Sequence, residues 1–300
     1  MESNQPALEE SAHEDLASAA EPHAPRLPAK PLVMIRSRRR WGALNLRELW
    51  SDRDLFYFLM WRDVKVRYKQ TVLGVAWVAL QPLLTMVIFT VIFGRLAHVP
   101  SDGQPYPIFV YAGLLPWNFF ANAVTTSSNS LVGNATLITK VYFPRLVIPG
   151  AAVGAGLVDL AIAATILMVM CFYYHVKLGF RLMMLAPLTI LLTIFAAAVG
   201  LWMSALNVKY RDIRYVLPFV IQVWLYLTPV IYPVTFIPAH WRWAVMLNPM
   251  SGIIEAYRSS IFNQPFDWLA LLVAAIITLS FFVYAAYDFR RMERVFADII

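Results

Sequence analysis

The sequence predicts an all-α integral membrane protein with six transmembrane helices, an N-terminal interfacial amphipathic helix, and a re-entrant outer segment between helices five and six. Three observations carry this expectation. Hydrophobic residues make up 60% of the chain and charged residues only 14%, whereas a soluble domain holds about 45–50% and about 25%. Six stretches approach the roughly 20 apolar residues that a helix needs to cross the hydrocarbon core. The Lys and Arg residues between those stretches are spread unevenly, as the positive-inside rule requires.

Residues 1–44 are expected to form a disordered cytoplasmic tail with a basic end. Glu2, Glu9, Glu10, Glu14, Asp15 and Glu21 mix there with Ala, Ser and Pro, and few large apolar groups are present. Such a composition cannot bury enough surface to offset the entropy of ordering. Lys30, Arg36, Arg38, Arg39 and Arg40 follow, but no apolar core directly succeeds them as a signal peptide would require.

Residues 45–70 read as an amphipathic helix. Leu46, Leu49, Trp50, Tyr57, Met60, Trp61, Val64 and Tyr68 recur near a 3.6-residue period, while Asp52, Asp54, Arg62, Asp63, Lys65 and Arg67 populate other faces. The segment is too charged to span. Basic residues on one side and aromatic residues on the other suit the headgroup boundary.

The transmembrane domain is expected over residues 71–289, with spans at 72–93, 108–132, 147–174, 182–206, 216–234 and 268–287. The second span is the least apolar. Its end, TTSSNS (125–130), should face other helices or a water-filled path. With the N-terminus in the cytoplasm, 20 of the 25 Lys and Arg residues fall on the cytoplasmic side, and residues 290–300 form a cytoplasmic C-terminus. Residues 235–267 are interrupted by Pro238, Asn248-Pro249, Gly252, Glu255 and Arg258. A seventh span there would place Arg290, Arg291 and Arg294 outside. The stretch therefore reads as one or two short helices dipping back from the outer face, covered by protein or a water-filled cavity.

Several chemistries find no support. His13, His23, His98, His175 and His240 are scattered, and Cys171 is the one cysteine, so no metal-ligand spacing or intrachain disulfide arises. No P-loop or GxGxxG pattern occurs, so any use of ATP needs another chain. A membrane enzyme acting on a polyprenyl phosphate would need clustered acids or a His–Asp pair, but Asp159, Asp212 and Glu255 fall in different layers. A proton-coupled carrier is disfavoured by the lack of an internal repeat and the sparse intramembrane charge. Asp159, the acid deep in a span, reads as a structural hydrogen-bonding group or a protonated acid rather than a proton relay.

Four stretches carry a family likeness: RYKQTVLGVAWVALQPL (67–83), ITKVYFPRLVIP (138–149), NVKYRDIRYVLPF (207–219) and NPMSGIIEAYR (248–258). In this order and at these topological places, they resemble the membrane-spanning subunit of ABC-2-type exporters. The likeness is to the branch that exports O-antigen, capsule and teichoic acid, and it covers residues 45–295. The resemblance implies a homodimer with two copies of a separate ATPase that holds ATP and Mg, no cofactor on this chain and no nucleic-acid partner. It also implies a multi-pass protein of the bacterial cytoplasmic membrane, in contact with membrane lipid, that exports a lipid-linked glycan. A drug or small-lipid exporter of the same class is the alternative.

Site expectations follow. Residues 133–145 can form a short helix punctuated by Pro144 and Pro149. By resemblance this is the helix that docks on the ATPase, with Asn134, Leu137, Lys140, Phe143, Pro144 and Arg145 as the coupling residues; otherwise it is an ordinary positive-inside loop. Arg62, Lys65, Arg67, Lys69 and Arg211 are cations that can receive a diphosphate head group or, alternatively, anionic lipid. Trp77, Trp117, Phe119, Phe120, Trp224 and Tyr226 offer flat faces for a sliding glycan, or else simply pack. Glu255 and Arg258 stand at i and i+3 and can pair as an outer gate.

Overall fold

A computed structural model describes residues 53–69, 75–140, 143–293 and 296. The expected tail (1–44), residues 45–52 of the amphipathic helix and most of residues 294–300 lie outside them. Every regular element among the described residues is helical. They are α1 (Arg53–Lys69), α2 (Val75–Phe89, continued by a π-helical stretch Thr90–Leu96), α3 (Tyr106–Gly133), α4 (Ala135–Lys140) and α5 (Val147–Tyr173). There follow α6 (Leu185–Lys209, preceded by a 3-10 turn Phe180–Met184), α7 (Ile213–Leu227), α8 (Arg242–Met246), α9 (Pro249–Ile261) and α10 (Trp268–Glu293).

Five helices are long and apolar enough to cross a bilayer: Ala76–Leu96, Tyr106–Gly133, Val147–Tyr173, Phe180–Lys209 and Trp268–Glu293. The expected fifth span is shorter than 216–234. α7 holds 15 residues, about 22 Å at 1.5 Å per residue. It stops at Leu227 because Pro229 forces the residue before it out of the helical region, and Thr228 is extended at φ −98°, ψ 138°.

α3 is the axis of the bundle. It packs between α5 and α6, with α10 on the far side of α6 and α2 against both α3 and α5. In its least apolar stretch Ser127, Ser128 and Ser130 are buried against other helices, while Thr126 is exposed. The Ser127 hydroxyl donates to the Pro149 carbonyl at 3.2 Å, and the Asn207 amide donates to the Ser128 carbonyl at 2.9 Å and to Asn129 Oδ1 at 3.2 Å. These bonds matter because lipid tails are as apolar as leucine, so packing and interhelical hydrogen bonds hold spans together where the hydrophobic effect does not.

Two apolar clusters result. The larger surrounds the centre and first turns of α3. The smaller lies at the opposite end, where Leu131, Ile138, Val147, Ala151, Leu201, Ala205 and Phe289 join α3, α4, α5, α6 and α10. α1 belongs to this second cluster through Leu59. It packs lengthwise along the first half of α5, where Gly154 lets it approach closely: a Cβ there would lie 3.0 Å from Met60 Sδ and 3.4 Å from Phe56 Cζ.

Candidate functional site

The end of the bundle that carries α4 is a mechanical junction. Asn134 caps α3, its amide donating to the Ser130 carbonyl at 2.8 Å, while Arg62 Nη2 of α1 donates to Asn134 Oδ1 at 3.0 Å. α4 starts at the next residue. Ile138 is buried, Leu137 and Phe143 pack beside it, and Thr136, Thr139 and Lys140 point outward. Pro144 begins a turn, with its carbonyl accepting from Val147 N at 3.0 Å. Arg145 then fastens α10, its backbone N–H donating to Glu293 Oε1 at 3.3 Å and its guanidinium to the Glu293 carbonyl at 2.8 Å. The residues that flank α4 thus bond to α1, α3 and α10, while Ile138 packs in the cluster it shares with α5 and α6.

The cations expected together on α1 divide. Lys65 and Lys69 are exposed, Lys65 lying 5.6 Å from the Trp61 ring centre. Arg62 pairs with Asp63 at 2.8 Å as well as with Asn134. Arg67 turns toward α5 and forms an ion pair with Asp159, whose other carboxylate oxygen accepts a bond from the Tyr68 hydroxyl. Burial and the adjoining carboxylate push the Tyr68 phenol well above its ordinary value, so it remains a donor. Arg211 is exposed just before α7 and is not brought to the α1 group by any contact among the described residues.

The expected Glu255–Arg258 pair requires a correction. No ion pair within 4 Å joins them among the described residues. Arg258 is 2% exposed, and its guanidinium turns to backbone carbonyls: Pro229 at 2.8 Å, Val230 at 2.5 Å and Phe109 at 3.4 Å. It also lies 3.7 Å from the Phe109 ring centre. The break after α7 explains the preference, because it frees carbonyls that a continued helix would have bonded internally. Gly113 completes the pocket; a Cβ there would sit 2.7 Å from Arg258 Nη2 and 2.9 Å from the Val230 carbonyl oxygen.

The aromatic group also divides. Trp117, Phe119 and Phe120 are buried within the bundle, so of the two expectations they meet packing and not a channel surface. Phe120 stacks on Phe195 at 5.2 Å between centroids and meets Trp224 edge-on at 5.1 Å, with Trp117 at 5.7 Å from Phe120. This knot ties α3, α6 and α7. Trp77 and Tyr226 are 54% and 52% exposed. On α7, Tyr226 continues an uncovered stripe with Tyr215, Phe219 and Gln222, spaced 4, 3 and 4 residues apart.

Sequence reasoning missed two connecting residues and the partners of a third. Asp159 was singled out, but its partners lie 91 and 92 residues earlier. Glu293 was not considered. Asn248 caps α9, accepting from Met250 N at 3.2 Å and from Trp224 Nε1 at 3.2 Å, and donates to Thr228 Oγ1 at 2.9 Å. The Asn-Pro dipeptide before an apolar run was the available signal, since Asn caps and Pro at the first helical position belong together. Asn248→Ala should cost about 0.5–2 kcal/mol through the cap alone, more with Trp224 left unpaired, and thermal unfolding in detergent checks it.

Among the described residues no cluster of His, Cys, Asp and Glu can hold a metal ion. A family model described as "ABC-2 type transporter" matches residues 54–262. Curated relatives carry related names. An O-antigen export system permease protein RfbA from Klebsiella pneumoniae is 30% identical over 250 residues, covering 82% of this chain and 95% of its own. A Myxococcus xanthus protein of the same name is 27% identical, covering 85% and 98%. The polysialic acid transport protein KpsM of Escherichia coli is 24% identical, covering 68% and 79%. With the family match spanning more than half of its residues, the chain belongs to the ABC-2 type transporter family.

Proposed function

We propose that this chain is the membrane-spanning subunit of an ATP-driven exporter that moves a lipid-linked polysaccharide across the bacterial cytoplasmic membrane. The observation that carries the reading is the near end-to-end match with proteins named for O-antigen export, 82–85% of this chain and 95–98% of theirs. The chain holds no catalytic centre in this reading. ATP and Mg belong to a separate ATPase, two copies of which serve two copies of this chain. Both termini lie in the cytoplasm, so α4 and its outward Thr136, Thr139 and Lys140 face that partner. Asn134, Leu137, Phe143, Pro144 and Arg145 transmit its movement through the second apolar cluster.

The cargo arrives by its charged head. Arg62, Lys65, Arg67 and Lys69 on α1 and Arg211 before α7 supply cations near the point of admission, where each is worth about 1 kcal/mol toward an anionic surface. α9 sits at the opposite end of α3, with Glu255 and Arg258 in the segment that closes the exit. The path between two copies is lined by the uncovered stripe of α7, with Trp77 from α2. Aromatic faces hold sugar rings without trapping a repetitive polymer by hydrogen bonds. Replacing Tyr215 and Tyr226 together by Ala should slow export by a factor between about five and about 150, taking each lost contact as about 0.5–1.5 kcal/mol, with the protein inserted in normal amount. Surface glycan labelling over time reads the rate.

Deleting the gene and following both the surface glycan and the lipid-linked glycan inside tests the reading. Surface loss with internal accumulation of diphosphate-linked polymer is the expected result. Surface loss without accumulation would point to a biosynthetic enzyme. Unchanged surface glycan would sink the polysaccharide assignment in favour of a drug or small-lipid exporter.

A further inference from the structure

Asp159 lies twelve residues beyond the first residue of α5, about 18 Å along the helix axis. A carboxylate at that depth in a spanning helix is costly unless paired. Its partners both come from the last turn of α1, and the two are not equivalent. Arg67 contributes a charge, using Nη1, while among the described residues its Nε and Nη2 have no protein acceptor. Tyr68 contributes a neutral hydroxyl. The pair is also not sealed: the Arg67 side chain is 30% and the Asp159 side chain 16% exposed. A guanidinium with a free edge on an open side is the group best matched to a phosphate, which it takes through two parallel N–H bonds. Removing one partner from a buried ion pair is costly because it strands a charge. Exchanging the carboxylate for an incoming phosphate keeps the cation paired, and the Tyr68 hydroxyl remains to cap the carboxylate left behind.

Resting on the head-group reading above, we infer that Asp159 is a stand-in anion that holds Arg67 in place until the phosphate of a polyprenyl-diphosphate head group takes it over. Arg67 then recognises the head group, and Asp159 and Tyr68 are positioning residues that keep this cation neutralised and aimed while no cargo is bound. The exchange also releases the end of α1 from the middle of α5, coupling arrival of cargo to the helix that touches Asn134 through Arg62.

Binding of undecaprenyl diphosphate to the full chain in nanodiscs tests this, with thermal unfolding measured on the same samples. If the pair engages Arg67 in about nine molecules of ten, Asp159→Asn should tighten binding about tenfold, while Arg67→Gln abolishes it. The charge-swapped double variant, Arg67→Asp with Asp159→Arg, should melt like the parent yet bind poorly, because it restores the ion pair but moves the cation. Equal binding by the parent and Asp159→Asn would overturn the exchange while leaving the exporter reading intact. So would a swapped variant that binds as the parent does. Absence of binding by the parent itself would defeat the head-group reading, and the exchange with it. Competition by inorganic pyrophosphate as strong as by the lipid, or by phosphatidylglycerol at membrane abundance, would overturn the assignment to a diphosphate lipid.

Discussion

Arg258→Met should lower the stability of the folded bundle by about 2–6 kcal/mol, if two of its three carbonyl partners are left without a donor at about 1–3 kcal/mol each. The residue is fully enclosed, so neither water nor lipid can replace it. Its guanidinium bridges Pro229 and Val230, in the break after α7, to Phe109 in the first turn of α3. Without it, α7 and α9 lose their shared anchor to the bundle axis. Arg258→Lys should recover only part of the loss, because one ammonium group cannot present the planar fork that reaches several carbonyls at once. Gly113→Ala should act on the same pocket from the other side by displacing both the guanidinium and the Val230 carbonyl. Thermal unfolding in detergent, with protease sensitivity of the 228–248 connection, reads all three. A methionine variant that melts with the parent would show that Arg258 is not the pin described.

Ile138→Ala should uncouple transport at the other end of the molecule. Ile138 is the side chain of α4 most deeply seated in the second apolar cluster, at 6% exposure. Truncating a buried isoleucine costs about 2–5 kcal/mol. A six-residue helix has little else to hold it, so the loss falls on local seating rather than on the whole bundle. The protein should insert normally and melt within a few degrees of the parent. Export should nevertheless drop by an order of magnitude or more, about what 1.4 kcal/mol per tenfold allows, while ATP hydrolysis by the assembled complex continues. Surface glycan and hydrolysis rates measured on the same strain separate the two. Proportional loss of both would mean that α4 is needed for assembly rather than for transmission.

Length and apolarity made most of the helices legible, because lipid leaves a spanning backbone no alternative to internal hydrogen bonding. α3, α5 and α10 begin within two residues of their expected starts. What a helix faces was harder to read. In lipid, apolar residues point outward as readily as inward, so Phe120 in the core and Trp77 on the surface look alike in sequence. Local spacing rules failed where tertiary acceptors competed. The i, i+3 relation of Glu255 and Arg258 was correct as geometry, but the carbonyls freed by Pro229 outbid the carboxylate. Asp159 stood out as an intramembrane acid, yet nothing local says that its partner is Arg67 rather than another cation. The polar end of α3 was the exception. A run of Ser, Thr and Asn inside a span is disfavoured against lipid, and its three serines are buried although Thr126 is exposed.

The measurement that tests the central claim most directly is transport in proteoliposomes holding this chain and its co-purified ATPase, with lipid-linked glycan supplied on the ATPase side and the opposite face labelled by a glycan-specific lectin. The account predicts lectin labelling that requires ATP, grows with time and falls at least about tenfold with the Ile138→Ala chain. Sustained ATP hydrolysis with the glycan still confined to the side of addition, while a drug-like cation or a short-chain phospholipid crosses instead, would contradict it.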